Sequence, residues 1–148
     1  MKKANLFDLS EEHLDYLIQV VIPAIKNTNC NLIVLLGRTR SGKTRFCEIA
    51  NAFESWQNYD LVKYFQENSY KKLTFSDIDF VTNDIVMFDE IQCLDNPLEP
   101  LHQSKKQKLL ITTQTLTDLT GLNDSYLKIE FLNHKKTPII SFVERSEA

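Results

Sequence analysis

Apolar positions along the chain follow two kinds of pattern. Between Asp8 and about Asn27, Leu14, Leu17, Ile18, Val21, Ile22 and Ile25 recur at three- and four-residue spacing. That spacing predicts an amphipathic helix, with Asp8 or Ser10 available to cap its start. Pro23 falls inside the pattern, where its missing N–H kinks the helix or splits it in two. Polar Asn27-Thr-Asn29 closes it. By contrast, Leu32-Ile-Val-Leu-Leu36 is short, aliphatic and non-alternating, as a strand buried on both faces of a parallel sheet should be. Asp84-Ile-Val-Met-Phe-Asp89 is a second such run, ending in acid, and Lys108-Leu-Leu-Ile-Thr-Thr113 is a third, ending in polar residues. A second helical stretch runs from Thr44 to about Phe53. Asp60-Leu-Val-Lys-Tyr-Phe65 reads as a strand, and Ser76 to Val81 as a short helix. Tyr126 to Phe131 and Thr137 to Val143 alternate apolar with polar around a turn at Asn133-His-Lys-Lys136, which predicts an antiparallel hairpin. The expected fold is one α/β domain spanning 1–148: a helical segment at 1–29, then a core at 31–143. That core would be a three-layer unit whose mainly parallel central sheet ends in a C-terminal antiparallel hairpin.

Composition narrows the class. The 148 residues are 43% hydrophobic and 25% charged, enough apolar material for a self-supporting core. No apolar run approaches the roughly 20 residues of a membrane span, and no secretory h-region follows the basic start. The three cysteines, Cys30, Cys47 and Cys93, form no Cys-x-x-Cys pair, which favours reduced thiols in a cytoplasmic setting. A formal charge of −3 argues against coating nucleic acid by bulk charge, while leaving room for a local basic patch. Only three glycines and four arginines occur, and two of the glycines and three of the arginines lie within residues 37–45.

That segment, Gly37-Arg38-Thr39-Arg40-Ser41-Gly42-Lys43-Thr44, matches G-x-x-x-x-G-K-[ST], between a strand run and a helical pattern. Its glycines let successive N–H groups converge on an anion, and the following helix points its positive dipole end at the same place. Lys43 would reach the β- and γ-phosphates of ATP and the Thr44 hydroxyl would ligate Mg²⁺. Arg38, Arg40 and Arg45 flank the phosphates, for which guanidinium is well suited, and Arg38 or Arg40 can instead face a partner. Ile85-Val-Met-Phe-Asp89-Glu90 has the form of a Walker B strand, whose Asp89 would hold Mg²⁺. Glu90 directly after it would accept a proton from the attacking water. If the Leu109–Thr113 strand inserts between the other two, Gln114 at its end faces the γ-phosphate as a sensor, ahead of Thr113. Together these make Lys43, Glu90 and Gln114 the candidate catalytic residues, and Thr44 and Asp89 the metal ligands. The Asn-Lys-x-Asp motif for guanine is missing.

The Gly37–Thr44 loop, the Asp89-Glu90 pair and a strand ending Thr113-Gln114 together resemble P-loop ATPases of the additional-strand, catalytic-glutamate division. The resemblance is to the FtsK–HerA superfamily of DNA-pumping ATPases and to zonula-occludens-toxin-like proteins. It covers roughly residues 31 to 143 and implies a P-loop NTPase fold and ATP hydrolysis. It also implies action on single- or double-stranded DNA in replication, packaging or transfer by a virus, phage or mobile element, and assembly into a homo-oligomeric ring or larger complex. Family members are usually larger, and a domain of 148 residues is expected to lack the insertions or accessory domain of a DNA pump. The loop is also similar to that of superfamily III helicases, which place an arginine where Arg40 stands. Those end their third motif in Asn where this chain has Gln114, and carry a His-hydrophobe-His motif, whereas His13, His102 and His134 are isolated. A nucleotide-gated assembly protein with little hydrolysis is the other alternative. Arg145, after the last strand, is a candidate arginine finger or a solvated tail residue. Lys71-Lys72, Lys105-Lys-Gln-Lys108 and Lys135-Lys136 read as solvated loops that could also meet phosphates. Trp56, Tyr59, Tyr64, Phe65 and Tyr70 read as core, with base stacking as their other use.

Overall fold

A computed structural model of the chain describes residues 10–75, 85–100, 108–132 and 137–144. The N-terminal helix runs as α1 (Glu11–Tyr16), a π-helical turn (Leu17–Val21) and α2 (Ile22–Asn27). Ser10 is its cap, its hydroxyl accepting from the His13 N–H at 3.2 Å. Pro23 does not end the helix, which runs on as α2 beyond the π-helical turn that divides it from α1. Its ring would crowd the carbonyl of Gln19 and it offers that carbonyl no N–H. The turn before it widens instead, with the Ile22 N–H bonded to Leu17 O, five residues back.

Strands β1 (Leu32–Leu36), β2 (Gln57–Asp60), β3 (Ile85–Asp89), β4 (Lys108–Thr113), β5 (Tyr126–Glu130) and β6 (Ile139–Val143) form one sheet in the order β2-β3-β4-β1-β5-β6. All neighbouring pairs are parallel except β5–β6, the expected C-terminal antiparallel pair, with Glu130 opposite Ile139 and Tyr126 opposite Val143. The helix α3 (Lys43–Glu54) follows β1, and α4 (Leu61–Glu67) follows β2.

The non-alternating runs are explained by burial on both faces. Ile33 and Leu35 of β1 and Met87 of β3 pack with Leu17, Ile22 and Ile25 of the N-terminal helix and Phe46 and Ile49 of α3. Leu32, Val34, Val86, Phe88 and Ile111 face the opposite cluster, with Tyr59, Leu61, Phe75 and Leu94. Apolar clusters on both sides of a mostly parallel sheet are compatible with a three-layer α/β fold.

One element differs from expectation. The segment read as a strand over Asp60–Phe65 is the end of β2 followed by helix α4. Asp60 caps that helix, its side chain accepting from the Lys63 N–H at 3.3 Å, and Leu61 turns fully into the core. Capping thus converts an apolar run into a helix just where the sheet ends. Among the aromatics named above, Trp56 and Tyr59 are core, Phe65 is half-buried, and Tyr64 and Tyr70 are exposed. Lys108 caps the other end of a helix: its Nζ donates to Ile25 O at 3.0 Å and Lys26 O at 2.7 Å. Ser76–Val81, His102, Lys105, Lys106, the Asn133–Lys136 turn and Arg145 lie outside the described residues.

Candidate functional site

Because β1 to β4 are parallel and adjacent, their C-terminal ends lie along one edge, the usual ligand-binding edge of such sheets. The Gly37–Gly42 loop leaves β1 there. It is anchored by Gly37 N–H donating to Thr113 O at 3.2 Å and tightened by Ser41 N–H donating to Arg38 O at 3.1 Å. The backbone turns through left-handed conformations at Arg40 (φ 66°) and Gly42 (φ 109°). Such reversals turn N–H groups inward. Gly42 is also the N-cap of α3 and has no side chain to occupy the first-turn donors, so these remain directed at the loop.

Lys43 is almost fully buried under this loop. Its Nζ donates to the carbonyls of Gly37 and, at 3.1 Å, Arg38. An ammonium carries three donors, so one remains for an anion in the loop. Burial lowers the Lys43 pKa from its ordinary value, and the nearby carboxylates of Glu90 and Asp89 counter that shift.

The acids arrive on β3. Asp89 is buried, and Thr44 Oγ1, from the first turn of α3, donates to its Oδ2 at 2.8 Å across 45 residues of sequence. Thr112 Oγ1 donates to its Oδ1 at 2.6 Å. Thr112 Oγ1 in turn accepts from the Glu90 N–H at 2.7 Å. A single line of hydrogen bonds therefore runs from α3 through β3 to β4. Burial raises the Asp89 pKa more than the two hydroxyl donors lower it, and the charges of Glu90 and Asp60 add to the rise. The same acids, after burial itself, push the Cys93 thiol up to about 11. Acidic charge is thus concentrated at one point of this edge, opposite Lys43.

Compared with protein-family models and with curated proteins, the chain matches none. The functional reading therefore rests on this geometry and on the sequence motifs.

The sites expected from sequence are distributed as follows. Lys43, Thr44, Asp89 and Glu90 come together. Gly37 and Gly42 shape the loop, and Ser41 lies within it, its hydroxyl buried without a hydrogen-bond partner among the described residues. Arg38, Thr39, Arg40 and Arg45 are exposed around the loop, and Gln114 is exposed just beyond β4. Thr113 is directed away from the acids, donating to Asp118 Oδ2 at 2.6 Å. Sequence reasoning missed two residues. Thr112 is the hydroxyl that touches the acids, and Gln92 Nε2 donates to Glu90 Oε2. Strand alternation could have separated Thr112 from Thr113 had the register been known; nothing in the sequence distinguishes Gln92.

The residues fit a bound phosphate and a hard cation. A loop with left-handed turns at Arg40 and Gly42, a buried ammonium with a spare donor and an unpartnered serine hydroxyl suit phosphate oxygens. The Thr44 hydroxyl and the Asp89 carboxylate are two adjacent hard oxygen donors, the kind of incomplete protein set that Mg²⁺ combines with phosphate oxygens and water.

Proposed function

We propose that this chain is a P-loop ATPase of the additional-strand, catalytic-glutamate division, binding Mg-ATP at the C-terminal edge of the sheet and hydrolysing it. The contact that carries the reading is Thr44 Oγ1 to Asp89 Oδ2 at 2.8 Å, because it joins the phosphate-loop motif and the acidic strand end at one place. The position of β4 between β1 and β3 supports it further.

In this reading, the Lys43 ammonium and the loop N–H groups meet the phosphate oxygens, with Arg38, Thr39, Arg40, Ser41 and Arg45 around them. Thr44 and Asp89 hold Mg²⁺, which when bound neutralises charge on the phosphates. Lys43 stabilises charge as the terminal phosphoryl group departs. Glu90 accepts the proton of the attacking water. Gln114, exposed beside the edge, is the proposed γ-phosphate sensor. The DNA-directed role in replication, packaging or transfer, in a bacterial host or an infected cell, and assembly as an oligomer follow from the family resemblance; the cytoplasmic setting follows from the cysteines.

Glu90→Gln tests the chemistry. The variant is expected to bind Mg-ATP by calorimetry as the parent does, while turnover falls by about 10²- to 10⁴-fold. Absence of any binding heat for the parent with ATP and magnesium would end the reading. Undiminished turnover in the variant would remove Glu90 from its role.

A further inference from the structure

Glu90 is held from three directions. Its N–H donates to Thr112 Oγ1 at 2.7 Å, its carbonyl accepts from the Cys93 N–H at 3.0 Å, and its carboxylate accepts from Gln92 Nε2. The two backbone contacts fix a left-handed conformation (φ 68°). A residue with a Cβ adopts that conformation only when its surroundings impose it, and such residues gather at functional sites. The side chain is fixed by Gln92 alone among the described contacts.

The chemistry of that contact is one-sided. An ionised carboxylate only accepts, so the amide must present its NH₂ group. The other end of the amide, Gln92 Oε1, is then left buried with no hydrogen-bond partner among the described residues. A buried acceptor without a donor is unfavourable. The amide's own hydrogen bonding therefore does not explain its orientation; its hold on Glu90 does. The turn that carries it, Ile91–Cys93, is itself anchored. Ile91 is fully buried, Leu73 N–H donates to Cys93 O at 2.9 Å, and Asp95 N–H returns to Leu73 O at 2.8 Å.

We propose that Gln92 is the positioning residue for Glu90. Its Nε2–H holds carboxylate oxygen Oε2, so that Oε1 is presented to the attacking water and takes its proton. This rests on the ATPase reading above and adds to it the residue that aims the base. A base held in this way does not have to find its rotamer in each turnover, and misplacement of a catalytic group by about 1 Å can cost 10²-fold in rate.

The test is a cycle of four proteins: parent, Gln92→Met, Glu90→Gln and the double variant, assayed with Mg-ATP. Gln92→Met keeps the length of the side chain and removes both the donor and the orphaned acceptor; Gln92→Leu serves as a second version should the first fold poorly. The expected result is a fall in kcat of about 10- to 100-fold, with nucleotide affinity and thermal midpoint close to the parent's. In the Glu90→Gln background the same change should remove nothing further, because it acts through a carboxylate no longer present. A Gln92→Met protein with parental kcat overturns the proposal. So does a loss that multiplies that of Glu90→Gln, since Gln92 would then act elsewhere. A slow Glu90→Gln protein beside an unimpaired Gln92→Met protein removes this inference and keeps the ATPase reading. A fully active Glu90→Gln protein overturns this inference and the role of Glu90 as base, while parent protein that neither binds nor turns over Mg-ATP ends the ATPase reading itself.

Discussion

A methyl group at position 37 would lie 2.5 Å from Ser41 Oγ and 2.7 Å from the carbonyl oxygen of Phe131. The hydroxyl can rotate away, but the carbonyl cannot: Phe131 is held by its own N–H donating to Leu36 O at 2.7 Å. Gly37→Ala should therefore destabilise the fold by about 1–3 kcal/mol, as overpacking does, and loosen nucleotide binding. Denaturant unfolding measures the first effect and calorimetry the second; a variant as stable as the parent would show that the loop yields more easily than its contacts imply. At this scale the sequence motif already contained Gly37, Gly42, Lys43, Thr44 and Asp89, because each is required by type at a fixed spacing. Thr112 and Gln92 were not legible, since a threonine in a strand and a glutamine in a turn acquire a role only from what the fold places beside them.

Among the elements, β4 shows most clearly how register decides function. Successive side chains of a strand point to opposite faces, so of two adjacent threonines, both buried, Thr112 meets Asp89 and Thr113 meets Asp118. Thr112→Val would leave Asp89 Oδ1 without that donor and the Glu90 N–H without an acceptor. It should destabilise the protein by about 2–6 kcal/mol, two groups left unsatisfied at about 1–3 kcal/mol each, and slow turnover. Thr113→Val releases Asp118, which is half-exposed and can turn to water, so its effect should stay near or below about 1 kcal/mol. Parallel unfolding and turnover measurements would distinguish the pair, and equal effects would contradict the register argument. Sequence pattern located β1, β3, β4 and the terminal hairpin because each is a run with one period throughout. It misread Asp60–Phe65, where one apolar stretch is divided between a strand end and a helix by the Asp60 cap.

Considered as a whole, the molecule joins two distant pieces of sequence by placing β4 between β1 and β3. The loop after β1 and the acids at the end of β3 thereby stand on either side of one strand, whose Thr113 carbonyl accepts from Gly37 N–H and whose Thr112 hydroxyl donates to Asp89. If the chain works on DNA as its family resemblance implies, its ATP turnover should rise when single- or double-stranded DNA is added. Turnover indifferent to both, with ATP held tightly, would instead fit a nucleotide-gated assembly protein. The sequence by itself determined the α/β class, the buried strands, the phosphate-loop motif and the acidic strand end, because these depend on local periodicity and on residue types at fixed spacing. Only the tertiary structure decided which threonine touches Asp89, how Pro23 is accommodated by a widened turn, that Lys108 closes a helix, and that Gln92 holds Glu90. Those contacts depend on strand order and register, which arise from packing the whole chain and are written in no single segment of it.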